Sequence, residues 1–372
     1  MPQLKSGIQS LHRQLPLNVP TLLPDECGKG FIGRVFGWNG AVDHLSMDIW
    51  RKSGWGRHYS PFEFLIEVTG LPRSTLICEH THLPYFRFVN KTFAGSSYDC
   101  ASTDVASCSR LHTLNTPRGN ARLCEKCVLK DLSEEGVSYW RRTHQLHGIS
   151  HCAEHGHPLL TAECNHALLS PPSQFLDSGE TRPIAPSILQ AAAGPFIKRF
   201  VALSAMTLTM KAPRHPAQLS RSLEIRARHH GIRVSPQGRV SNLSDRIIEM
   251  AAGPWLDENF PILKNKRPAE FVSAIDGTCI SRHVAHHTVS YLLAMAALWD
   301  TTDEAMTACF VTEAPGVAGH DAQEELRQQE AAFRLFLKDV GVLRAIKAHN
   351  LSKENLSASM QHYLRRAALE SK

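Results

Sequence analysis

The sequence predicts a mainly α protein in two halves, and three patterns carry that prediction. Apolar residues recur at helical spacing through the second half, as in Leu219, Leu223 and Ala227 and again in Leu243, Ile247, Ile248 and Ala251. In the first half, three cysteines and a histidine stand in two close pairs, Cys124-Glu-Lys-Cys127 and Cys152-Ala-Glu-His155. Between the halves, Pro171, Pro172, Pro183 and Pro186 interrupt any regular element.

A chain of 372 residues has room for two or three domains at roughly 100–200 residues each. With 42% hydrophobic and 20% charged residues it has the composition of a folded protein, not of a disordered one. Forty-one Lys and Arg against 35 Asp and Glu leave +6, which excludes an acidic, solvating protein and tolerates a polyanionic partner. The longest aliphatic-rich run, Tyr291 to Trp299, falls far short of the roughly 20 residues that cross a bilayer. Met1 to Gly30 contain Lys5, His12, Arg13, Asp25 and Glu26 and no apolar h-region. The expectation is a soluble, cytoplasmic protein with no membrane partner.

In chain order, the expected N-terminal helical region is 1–115. Pro16 to Pro24 reads as extended. Phe31 to Trp50 is punctuated by a turn at Gly37-Trp-Asn-Gly40, so two short helices there fit a helix-turn-helix or any αα-hairpin. Phe62 to Leu71 is a helix candidate stopped by Gly70 and Pro72, and a Ser- and Gly-containing loop runs to about Leu111.

The metal-binding region is expected at 116–170. Ten cysteines in a chain without an export signal point to thiols or metal ligands before disulfides. CxxC followed by CxxH supplies three thiolates and an imidazole, the donor set of a closed tetrahedral zinc site, so Cys124, Cys127, Cys152 and His155 are the expected ligands of one structural Zn2+. Val137 to Leu146 reads as a short helix carrying Trp140. Arg141 and Arg142 on it are read as solvated, with phosphate contact as the alternative. His144, His147, His151, His157 and His166 crowd the same stretch and raise a catalytic metal as a rival reading. Three thiolates argue against it, because they describe a closed site. Cys164 and His166 have no partner pair, so a second zinc is not expected.

Residues 171–186 read as a linker, and 187–372 as a helical domain. Ile188 to Met210 is Ala-rich with Phe196, Phe200 and Leu203 on a buried face, and His286 to Trp299 reads as a largely buried helix. Glu324 to Leu343 is amphipathic, with Phe333, Phe336 and Leu337 read as core and homodimerisation left open. The most basic segment holds Arg221, Arg226, Arg228, Arg233 and Arg239 across a candidate helix-turn-helix at about 218–255. A solvated helical face is the plain alternative. No P-loop, GxGxxG, GxSxG or HExxH motif occurs, and an enzyme is not expected.

Taken together, these residues resemble the TniQ/TnsD family of transposition target-selection proteins. The likeness is densest from Arg122 to Leu160. It runs through CxxC, Tyr139-Trp140-Arg141, His144-Gln145-Leu146-x-Gly148 and Cys152-x-x-His155-Gly156. Upstream, Leu23-Pro-Asp-Glu26, Trp38-Asn39-Gly40 and His80-Thr81-x-Leu83-Pro84-Tyr85-Phe86 are similar to the family's opening motifs, and Arg226 to Leu243 to the helical region of its TnsD branch. Glu125 replaces the proline usual inside CxxC. The resemblance implies a non-catalytic protein that binds double-stranded target DNA and recruits an AAA+ ATPase regulator and, through it, a transposase. The alternative it implies is an adaptor to a CRISPR RNA-guided complex without sequence preference of its own. It also implies that residues 25–90 face protein partners.

Overall fold

The computed structural model describes residues 18–40, 61–90, 114–164, 166–232, 234, 241–280 and 285–308. Among the described residues the first four helices are α1 (Gly28–Trp38), α2 (Pro61–Thr69), α3 (Arg73–His80) and α4 (Leu83–Phe86). Phe31, Ile32 and Val35 of α1 pack with Phe62, Phe64, Leu65, Leu76, Ile77 and Leu83 into one apolar cluster. α1 holds four glycines, each of which costs a helix up to about 1 kcal/mol relative to alanine. Packing explains them. At Gly33 a Cβ would stand 2.4 Å from the Leu169 carbonyl oxygen, so only glycine lets α1 lie directly on the turn Ala167–Leu169. The second helix expected before Trp50 falls outside the described residues.

The motifs that carried the family likeness turn out to interlock. Asp25 accepts hydrogen bonds from Arg142 Nε at 3.1 Å, from the Thr143 amide at 3.1 Å and from Thr143 Oγ1 at 2.7 Å. Arg142 Nη1 donates in turn to the carbonyls of Cys78 and Thr81 at 2.6 and 2.9 Å. His80 Nδ1 lies 3.0 Å from the Glu26 carbonyl and His82 Nε2 lies 2.9 Å from that of Arg142, which makes both ring nitrogens donors. Glu26, fully buried, is held in a two-pronged pair by Arg34 at 2.7 Å. Arg141 grips Asp131 the same way at 2.7 and 2.8 Å and lies 4.5 Å over the Tyr139 ring.

This corrects the sequence reading of 137–146. Only Thr143–Gln145 forms a single 3-10 turn, and Arg141 and Arg142 are neither solvated nor offered to phosphate. Their partners lie ten and 117 residues away in sequence, where local patterning does not reach.

Burial pushes the imidazoles of His80 and His82 down to about 4, despite the carbonyls they bond. Both are therefore neutral in the folded protein near pH 7. In the unfolded chain they take up protons from about pH 6.5 downward. Their stabilising contribution is complete above that value and is lost as pH falls toward 4. Each histidine removes up to about 1.4 kcal/mol per pH unit in that window. A urea midpoint that drops steeply between pH 6.5 and 5, and less so in His82→Gln, is the expected result; a flat midpoint would contradict it.

The middle of the chain is a small antiparallel sheet with a helix on it. β1 (Arg122–Leu123), β2 (Leu160–Ala162) and β3 (Thr181–Pro183) pair in the order β1-β2-β3, with Arg122 opposite Thr161 and Thr161 opposite Arg182. α5 (Glu125–Glu134) follows β1, and α6 (Pro172–Asp177) packs against it. Residues 171–186, read as a linker, therefore supply a helix and the sheet's third strand. Pro172 sits in the first turn of α6, where its missing N–H costs nothing, and Pro183 ends an edge strand.

The second half is helical: α7 (Pro186–Ala192), α8 (Pro195–Thr207), α9 (Pro216–His229), α10 (Leu243–Met250), α11 (Gly253–Asn259), α12 (Ser273–Asp276), α13 (Thr288–Leu298) and α14 (Thr302–Ala308). Gly194-Pro195 splits the expected 188–210 run into α7 and α8. α13 is buried on all sides from Ser290 to Leu298, and α8, α9 and α10 pack around it. Its C-terminal carbonyls are capped by cations from each of these neighbours. Arg199 Nε donates to Ala296 at 3.1 Å, Arg246 Nε to Ala297 at 2.8 Å and Arg226 Nε to Leu298 at 2.9 Å. Three guanidinium groups thus satisfy orphan carbonyls and oppose the negative end of the helix dipole. One core runs without a break from Cys124, Cys152 and Leu146 through Phe200 and Trp255 to α13. Glu324 to Leu343 lies outside the described residues. Among the described residues, no helix is long and apolar enough to cross a membrane.

Candidate metal centre and basic helix

Cys124 is the N-cap residue of α5 and Cys127 lies in its first turn, so the CxxC spacing turns both sulfurs to one side. Cys152 and His155 sit on a tight turn closed by the Gly156 amide donating to the Cys152 carbonyl at 2.9 Å. The four ligand atoms all fall within 4.8 Å of one another. His155 Nδ1 lies 3.7, 3.3 and 3.6 Å from the sulfurs of Cys124, Cys127 and Cys152, and the Cys127 and Cys152 sulfurs are 3.5 Å apart. A zinc ion at Zn–S 2.3 Å and Zn–N 2.0–2.1 Å would set tetrahedral edges of about 3.8 Å for S···S and about 3.6 Å for S···N. The donors already stand near those edges. A disulfide, at about 2.05 Å, does not describe the cysteines.

Hydrogen bonds from the Cys127 and Cys152 thiols hold the Cys124 sulfur well below the ordinary thiol range. Without a metal the three sulfurs share protons, and the hydrogen bonds to Cys124 that hold it low push Cys127 and Cys152 up. The Arg141 guanidinium, fixed by Asp131, adds positive charge beside Cys127. Lys130 of α5 pairs with Glu154 at 2.6 Å, tying the helix to the turn that carries His155. The three cysteines are buried and belong to the same core as α8 and α13.

Cys152 and His155 also border a cavity of about 390 Å3, lined further by His144, His151, Ile149 and Val201. Neither of these histidines joins the cluster, and among the described residues these four ligands form the only such group. Burial first, then Arg141, pushes His144 down to about 4; burial with Arg118 and Arg122 does the same to His147. These histidines thus divide into one potential ligand, His155, and the neutral, packed imidazoles of His144 and His147. Four protein donors at tetrahedral spacing leave no open coordination position for a hydrolytic metal.

Of the five candidate DNA-contacting arginines, the three that are described separate in space. Arg233 and Arg239 lie outside the described residues. Arg226 is turned inward to cap α13. Arg221 and Arg228 are exposed on α9, where Arg228 also pairs with Glu224 at 2.9 Å. Residues 230–242 separate α9 from α10, a longer connection than the about three to four residues of a helix-turn-helix. Sequence reasoning missed the α13 caps because nothing local marks an arginine whose acceptor lies 72 residues on.

Residues 17–159 match the family model TniQ. The match takes in the interlocked motifs and all four residues of the metal cluster, and ends before β2. No curated protein matches the chain.

Proposed function

We propose that the chain, whose residues 17–159 match the family model TniQ, is a transposition-associated, non-catalytic target-selection protein. In this reading it binds double-stranded DNA and recruits an AAA+ regulator and, through it, the transposase. The observation that carries the reading is the family match over a domain stapled by the Cys124–His155 cluster and packed through one core onto helices that present Arg221 and Arg228 to solvent. The metal is zinc in this reading. Three thiolates with one imidazole are its closed structural donor set, and the spacing fits its bond lengths. Such a protein works by holding surfaces in fixed relation.

The division among the arginines gives a specific test. Arg228→Gln is expected to weaken binding to duplex DNA and to lower the slope of log affinity against log salt by about one, with stability unchanged. Arg226→Gln is expected to do the reverse, lowering the urea midpoint through loss of the α13 cap while leaving the salt slope in place. Equal effects of the two on DNA affinity would contradict the assignment.

A second reading has its own support. With Arg226 committed to α13 and Arg228 shared with Glu224, the described part of α9 offers few guanidiniums to read base edges. That favours an adaptor that bridges an RNA-guided complex to the transposition machinery. Selection from a random duplex library separates the two. Enrichment of one sequence supports target reading by the chain itself; weak, sequence-blind and steeply salt-dependent binding supports the bridge.

A further inference from the structure

Two guanidiniums converge where β1 meets α11. Arg122 of β1 has both backbone groups held by the Gln145 side chain, its amide donating to Oε1 at 2.9 Å and its carbonyl accepting from Nε2 at 2.8 Å. Its own side chain is 4% exposed, and Nη1 donates to the Ile149 carbonyl. The Arg118 side chain is 14% exposed; its Nη1 donates to Asn259 Oδ1 at 2.7 Å and its Nη2 to Glu258 Oε1 at 3.1 Å. Among the described residues Glu258 is the one carboxylate paired with either arginine, and it stands 3.9 Å from Arg122 Nη2, too far for a hydrogen bond.

The charges do not balance. Two buried cations share one carboxylate that is itself 43% exposed. His147 beside them is held neutral, by burial first and then by the two guanidiniums, and brings no counter-charge. Buried ions are normally paired, because only a counter-charge offsets their lost hydration. The donors are not satisfied either. Arg122 Nε is buried without a hydrogen-bond partner, so neither donor of the Nε–Nη2 edge has an acceptor within hydrogen-bond distance among the described residues. That edge is the one that grips an oxyanion through two parallel bonds. A carboxylate has two oxygens, and Glu258 spends its contact on Arg118. A phosphate group, with its oxygens in a tetrahedron, meets both guanidiniums at once.

We propose that Arg118 and Arg122 form a binding site for a phosphate group, with Glu258 as the resident counter-ion that the phosphate displaces. Arg122 supplies Nε and Nη2 to two oxygens, and Arg118 supplies Nη2 to a third. Glu258 lies in the last turn of α11 and is nearly half exposed, so rotation of its side chain into water clears the site without moving the backbone. Two sources share this chemistry, a nucleic-acid backbone and a free phosphate compound. The first of them rests on the function proposed above.

The test follows thermal unfolding of the full chain against inorganic phosphate, with chloride at equal ionic strength as the reference. Phosphate is expected to raise the midpoint of the parent beyond chloride. From these titrations Glu258→Gln is expected to bind phosphate about tenfold more tightly than the parent and Arg118→Gln about tenfold more weakly, since one loses the competitor and the other a charged donor. Arg118→Lys keeps the charge without the fork and falls between Arg118→Gln and the parent. Arg182→Gln, at an exposed arginine elsewhere, matches the parent. A merely structural ion pair is weakened by either change at Arg118 or Glu258 and ignores phosphate, so the opposite signs of the two variants identify the site. No response beyond chloride, or the same response in every variant, overturns the proposal. Duplex DNA then separates the sources. Where the backbone occupies the site, Arg118→Gln lowers the salt slope by about one and Glu258→Gln tightens DNA binding. Phosphate responses with DNA binding unmoved uphold the site and assign it to a free phosphate compound. Loss of DNA affinity in Arg228→Gln alone would then keep the DNA reading, with its contact on α9.

Discussion

Cys127→Ser is expected to give a protein that no longer retains zinc and unfolds about 10 °C below the parent. Cys127 is nearest to the other donors, 3.3 Å from His155 Nδ1 and 3.5 Å from Cys152 Sγ. Its loss leaves two sulfurs and an imidazole, too few for a closed site. Metal binding in such clusters is itself folding free energy, often above 10 kcal/mol in small zinc domains. Here a preformed core carries part of the load, so a loss of about 4 kcal/mol is expected, at about 2–4 °C per kcal/mol. The cysteines share a core with Leu146, Phe200 and Trp255, so the damage spreads into the helical half. Elemental analysis for zinc together with thermal unfolding, with and without chelator, checks this. A catalytic metal predicts the opposite pattern, an intact fold with one turnover lost. Identical melting of parent, chelated and Cys127→Ser protein would remove the metal from the account of this fold.

The cluster was legible because two-residue spacers encode it locally. CxxC at the start of a helix and CxxH on a turn each present a pair of donors, whatever the rest of the chain does. The helices of the second half were legible for a similar reason, since Leu219, Leu223 and Ala227 mark a buried face by spacing alone. What escaped was set by distant partners. Arg141 and Arg142 look solvated until Asp131 and Asp25 are placed beside them. Arg226 looks like a phosphate contact until the end of α13 meets it. β1, β2 and β3, two or three residues each, are too short for alternation to show. The prolines of 171–186 mark both a linker and the starts and ends of short elements, and sequence does not separate the two.

Gly148→Ala is expected to cost about 3–4 kcal/mol. Two penalties add there. Its φ of +74° lies in the left-handed region, where a Cβ costs about 1–2 kcal/mol. The same Cβ would stand 2.6 Å from Trp255 Cζ2 and 2.8 Å from Phe200 Cε1, both buried in the aromatic group that joins the stretch around Gly148 to α8 and α11. Overpacking of that kind costs a further 1–3 kcal/mol, roughly. Trp255 cannot simply withdraw, since its Nε1 donates to the Gly148 carbonyl at 3.0 Å. Gly136→Ala is the control, because Gly136 has φ +70° and nothing within 4 Å of the added carbon. It should show the backbone penalty alone. Urea unfolding of the two variants measures the difference, and equal losses would contradict the contact argument. Metal retention gives a second readout. Gly148 is four residues before Cys152, so pushing it off Trp255 moves the turn that carries Cys152 and His155. Zinc should then be lost at a lower chelator concentration than from Gly136→Ala.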